Sequence, residues 1–145
     1  MRIGLYSELA RRDITATRRF IAERGYAPTA SDIRRCRQEI MNLDVGSAPR
    51  KVAAAADFFT MSECRDLLFH VQEHCHRLPE IARFINDNDL QFLGFELSVD
   101  SLRRYQAQFP QDQAATNLDF WHIFENANPD SFLGMYQFWV QKRAW

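Results

Sequence analysis

The chain has 145 residues, 46% of them hydrophobic and 26% charged, with a formal net charge of −1. That size suits a single domain, 1–145, able to bury a core without disulfide staples. The near-neutral balance excludes a global field that would drive the protein onto nucleic acid or an anionic membrane, and no stretch approaches the roughly 18 apolar residues of a membrane span. Cys36, Cys64 and Cys75 are odd in number and form no CxxC, which fits a reducing cytoplasm.

Residues 1–6 (MRIGLY) read as a short strand. Ser7 is placed to cap a helix running to about Arg24, with Leu9, Ala10, Ile14, Phe20 and Ile21 as its apolar stripe and Gly25 as its left-handed stop. Thr29 and Asp32 have capping-box spacing and open a second helix, with Ile33, Cys36, Ile40 and Met41 turned inward. Residues 44–49 (DVGSAP) form the clearest loop and the expected flexible point. A short helix is expected over 52–59. Thr60 and Glu63 then cap a helix carrying Cys64, Leu67, Leu68 and Val71.

Residues 74–77 look irregular. Pro79 suits the first turn of a helix reaching Asn88, with Ile81, Phe84 and Ile85 apolar. A strand follows at 91–97. Ser98 or Asp100 then caps a helix ending near Phe109, and Thr116 opens another with Leu118, Trp121 and Phe124 facing in. The last strand is 135–141. The second and last strands are apolar on both faces, which predicts burial on both sides of a sheet. The expected fold is α+β: a small three-stranded sheet covered by about six to eight helices, for which the resemblance given below implies a mixed sheet ordered first–last–middle.

The five glycines, Gly4, Gly25, Gly46, Gly94 and Gly134, lie too far apart for a phosphate-cradling loop. Tyr6 and Ser7 sit at the carboxyl end of the first strand, where open α/β sheets bind ligands; the competing reading makes Ser7 a helix cap and Tyr6 a core residue. His70, His74, Cys75 and His76 are the densest set of metal-ligand types, but Pro79 marks a broken helix and no second pair accompanies them, so no metal is expected. The cysteines have no base at nucleophile-like spacing, and no catalytic residue is assigned. Ten arginines fall among the first 50 residues, against six carboxylates. They carry no recognised nucleic-acid motif, and nucleic acid is not expected as a partner.

Four stretches, MRIGLYSELARR (1–12), CRDLLFHVQEH (64–74), LQFLGFEL (90–97) and GMYQFWVQK (134–142), together resemble the C-terminal half of class I S-adenosylmethionine-dependent methyltransferases, of the group often fused to tetratricopeptide repeats. The resemblance implies that the three strands are the fifth, sixth and seventh of a Rossmann-like sheet, the last inserted antiparallel between the other two. It places His70, Gln72, Glu73 and His74 near the substrate side, and these join Tyr6 and Ser7 of the strand end as the candidates. The glycine-rich loop and the ribose-binding acid of that family are missing from this sequence. The chain is therefore expected to bind no cofactor by itself and to be noncatalytic alone. An unpaired first strand, from Met1 to Tyr6, would recruit either a second copy or an N-terminal half. The alternative function is a stand-alone interaction or regulatory module that associates through the same strand.

Overall fold

The structure, a computed structural model, describes residues 1–70 and 72–144. It is α+β, with a four-stranded mixed sheet and seven α-helices among the described residues. The chain divides into two compact units, one formed by Met1–Ala10 with the residues from His74 onward, the other by Arg11–Glu73.

The sheet lies in the first unit. Its strands are β1 (Arg2–Ser7), β2 (Cys75–His76), β3 (Leu90–Phe95) and β4 (Tyr136–Lys142), in the order β2–β1–β4–β3. The last strand therefore sits between the first and the middle one, antiparallel to both, the order and sense that the resemblance implied. The expected three strands are corrected to four. Residues 75–76, read as irregular, form a short strand parallel to β1, with Tyr6 opposite Cys75 and Ser7 opposite His76. Two residues are too short to give a period-2 pattern, and for that reason this strand was silent in sequence.

Burial on both faces is also corrected. Tyr136, Phe138 and Val140 of β4 are fully buried, whereas Trp139 is 43% exposed. The inner face packs on α5 (Leu78–Asp87), α6 (Val99–Gln108) and α7 (Leu118–Ala127) through Leu78, Ile81, Ile85, Tyr105, Trp121 and Phe124. Tyr105 and Trp121 stack at 3.7 Å, and the Trp121 indole N–H donates to the Ala115 carbonyl at 2.8 Å, so its one polar group is satisfied inside the core. On the outer face Arg2 grips Glu96 with two nitrogens, at 3.1 and 2.7 Å, and Trp139 Nε1 donates to the same carboxylate at 2.6 Å. The indole made β4 look apolar on both sides, but its N–H belongs to a solvent-facing polar cluster.

Between β3 and β4 the register passes from Phe92 opposite Val140 to Gly94 opposite Trp139, leaving Leu93 as the extra residue of a bulge. Gly94 there has φ of +133° with open space where a Cβ would stand. The cost of a side chain is thus purely backbone strain. Gly94→Ala is expected to lower stability by about 1–3 kcal/mol in urea unfolding, with no change in the core aromatic signals.

The second unit is helical: α1 (Arg12–Arg24), α2 (Ala30–Met41), α3 (Ala48–Val52), a 3-10 turn at Ala56–Phe58, and α4 (Met61–Phe69). Gly25 ends α1 at φ 70°, its N–H reaching the Ala22 carbonyl. The Thr29 and Thr60 hydroxyls accept from the Asp32 and Glu63 amides, as their spacing indicated. Ile21, Ile33, Cys36, Ile40, Phe58, Cys64 and Leu68 form this unit's core. Two local expectations fail. Ser7 ends β1 rather than capping α1, which starts only at Arg12. Met41, expected inside, is 42% exposed. Val71, placed by sequence on the α4 stripe, lies outside the described residues. Among the described residues no helix is long and apolar enough to cross a membrane.

Candidate functional site

Strands β1 and β2 run parallel, so both carboxyl ends open on the same edge of the sheet, the end where such sheets place ligands. The Glu8 amide donates to the His76 carbonyl at 3.0 Å and extends that pairing by one step. The Arg77 guanidinium then closes on Glu8, at 2.6 and 2.9 Å; both side chains are well exposed, so this pair orients the edge more than it stabilises it.

Beneath that edge lies a buried polar cluster. Ser7 is 1% exposed and Glu125 3%. The Ser7 hydroxyl donates to Glu125 Oε1 at 2.5 Å and accepts from the Ala10 amide at 3.1 Å. The Tyr136 hydroxyl donates to both Glu125 oxygens at 2.8 Å. Burial and the facing Glu125 carboxylate push the Tyr136 phenol up, although the Ser7 hydrogen bond opposes the rise, so it stays a donor. Glu125 joins strand β1, helix α7 and strand β4 through side chains alone. Ser7 faces a carboxylate and no imidazole reaches it among the described contacts, so the set lacks the base-and-orienter geometry of an activated serine.

The sequence-derived candidates divide between the two units. Tyr6 and Ser7 lie on the last turn of β1, paired with β2, and His74 is exposed just before β2. His70 and Gln72 belong to the second unit, where they line an open hollow of about 400 Å³ with Pro28, Arg65, Asp66 and Phe69. Helix α4 ends at Phe69 and His70 is extended, so His70 and His74 do not share a helix face. No group of three metal-ligating side chains forms among the described residues.

Glu73, the remaining candidate, is held by two arginines of the second unit. Its carboxylate accepts from Arg11 Nε at 2.7 Å and from Arg18 Nη2 at 2.6 Å, and Arg18 also donates to the Leu67 carbonyl at 2.7 Å. Burial alone would raise the Glu73 carboxyl; the two guanidinium groups outweigh it and hold the group below its ordinary 4.5. This clamp ties α1 to the chain beyond α4.

Sequence reasoning missed Glu125 and the two arginines. A signal existed for Glu125, which follows Trp121 by four positions and so lies on the apolar stripe of α7. Two of the thiols offer no nucleophile: Cys36 and Cys64 are fully buried, and burial pushes Cys36 up to about 12.

The residues present do not fit S-adenosylmethionine. No glycine-rich turn follows any strand, and no buried side-chain polar atom is left without a partner among the described residues. No protein-family model matches this chain, and no curated protein does.

Proposed function

We propose that this chain is a methyltransferase-like sheet-closing segment, similar to the C-terminal half of a class I S-adenosylmethionine-dependent enzyme and noncatalytic by itself. The observation that carries the reading is the sense and order of three strands: the last one antiparallel, between the first and the middle. The four sequence stretches described above support it independently. The substrate-side candidates of this reading are Tyr6, Ser7 and His74 in the sheet unit and, separately, His70, Gln72 and Glu73 in the helical unit. Calorimetric titration of the folded chain with S-adenosylmethionine and with its demethylated product tests it. No heat is the expected result. Micromolar binding would mean that the chain builds a cofactor site of its own, and the noncatalytic reading would fall.

A second reading, association through β1, has its own observation. Met1 and Val140 exchange both backbone hydrogen bonds, at 2.7 and 2.9 Å. In an antiparallel ladder such pairs alternate, so Ile3 and Leu5 turn their backbone groups toward β4, and Arg2 and Gly4 turn theirs the other way. Among the described residues, strand β2 pairs with β1 at Tyr6 and Ser7 alone on that side. The Arg2 and Gly4 groups therefore form an open edge, and open edges accept strands. Pairing Arg2 with Gly4 of a second copy around Ile3 would satisfy every backbone group that edge presents. Gly4→Pro removes an N–H the β4 ladder does not use, displaces only the flexible Met135 thioether that stands 2.9 Å from the new Cβ, and puts a ring in the path of an incoming strand. It is expected to convert a dimer to a monomer in sedimentation equilibrium while the far-ultraviolet spectrum stays unchanged. A dimer that survives the substitution would rule out this edge.

A further inference from the structure

We infer that the helical unit carries a docking cleft for an acidic peptide segment with an aromatic or aliphatic anchor, built from Arg34, Arg37, Gln38 and Met41 of α2 with Phe58 and Phe59 beyond α3. The cleft is unrelated to the β1 edge and to the methyltransferase-like reading.

The arginines of this unit fall into two groups. Arg35 is paired with Asp32 at 3.3 Å and Arg24 with Glu39 at 3.2 Å, while Arg11 and Arg18 hold Glu73. Arg34 and Arg37 have no carboxylate within ion-pair distance among the described residues. Arg37 is also half-buried, its guanidinium 6.0 Å from the centre of the Phe58 ring. A partly desolvated cation with only an aromatic face for company gains more from an arriving anion than an exposed one does. The planar guanidinium fork matches a carboxylate with two parallel hydrogen bonds.

The apolar half of the recognition surface is equally specific. Phe58 is buried, and Phe59 meets it edge-on at 5.4 Å while remaining 56% exposed. Met41 beside it is 42% exposed, although the helical stripe of α2 would have turned it inward. Phe59 and Met41 thus leave hydrocarbon in water next to two unpaired cations. The hollow measures about 270 Å³, below the roughly 300–1,000 Å³ of small-molecule and cofactor sites. It has room for one anchoring side chain with acidic neighbours reaching the arginines, a pattern that peptide grooves use.

The test is an NMR titration of the full chain with the peptide acetyl-Asp-Glu-Phe-Asp-Asp-Leu-amide and its uncharged counterpart acetyl-Asn-Gln-Phe-Asn-Asn-Leu-amide. The acidic peptide is expected to shift the Arg34, Arg37 and Phe59 amides and to bind at least about tenfold more tightly than the neutral one. Arg37→Gln and, separately, Phe59→Ser should each weaken it by about tenfold with the remaining spectrum unchanged. Three outcomes would overturn the proposal: no binding of the acidic peptide, equal binding of both peptides, or inorganic phosphate displacing the acidic peptide at equimolar concentration, which would assign the cleft to small anions.

Discussion

Glu125→Ala is expected to destabilise the sheet unit by about 3 kcal/mol, read from the midpoint of urea unfolding. Three effects sum in that figure. The Ser7 hydroxyl loses its acceptor in a place that water does not reach, and so does the Tyr136 hydroxyl. The removed carbons leave a void between α7 and β4. Unsatisfied buried groups, not the hydrogen bonds themselves, dominate the loss. That account makes a second, sharper claim. In the triple variant Glu125→Leu with Ser7→Ala and Tyr136→Phe, only the Ala10 amide that Ser7 Oγ served is left to be satisfied, and much of the stability should return. The single substitutions would then be strongly non-additive. Additive losses would mean that packing volume alone explains the site.

Glu73→Ala is expected to cost about 2–3 kcal/mol and to change the pH dependence of unfolding. The side chain is 8% exposed, and its removal leaves the Arg11 and Arg18 guanidinium groups facing each other's charge without the anion between them. The folded-state carboxyl titrates below its ordinary 4.5. Its contribution is therefore complete above about pH 4.5 and fades as the pH falls through the folded value. The native chain should lose stability over that acid range. The Glu73→Ala variant should show a flatter acid limb, with the two curves converging toward low pH. Parallel curves down to pH 3 would contradict the clamp. Glu73→Gln keeps the shape and loses the charge, and is expected to fall between the two.

The sequence carried the fold wherever hydrophobic period and capping chemistry agreed. Thr29, Thr60 and Gly25 marked helix ends that the structure keeps, and the strands at 2–7, 90–95 and 136–142 lie where their apolar runs put them. What it concealed has physical causes. The two-residue β2 has no period to detect. Trp139 is amphipathic, and its indole N–H in the Glu96 cluster lets a large ring sit on an outer face. Asn117 rather than Thr116 caps α7, because its side-chain oxygen reaches the Asp119 and Phe120 amides at 3.0 and 3.1 Å. The candidate site was legible only as a location. Ser7 could be placed at a strand end, but its partners Glu125 and Tyr136 lie more than a hundred residues away, and such long-range pairing leaves no mark in local spacing. Glu73 could be named as a candidate, but Arg11 and Arg18, which donate to its oxygens, stand 62 and 55 residues earlier in the chain and left no local signal of that contact.

Both functional readings meet at one place, the edge of β1 that β2 leaves uncovered. Amide hydrogen exchange along residues 2–5, followed from dilute solution to tens of micromolar with the mass measured in parallel, examines that edge residue by residue. Ile3 and Leu5 should be protected throughout, held by β4. Arg2 and Gly4 should exchange freely when dilute and become protected as the mass doubles. Fast exchange of Arg2 and Gly4 at every concentration, in a protein that stays monomeric, would contradict the account.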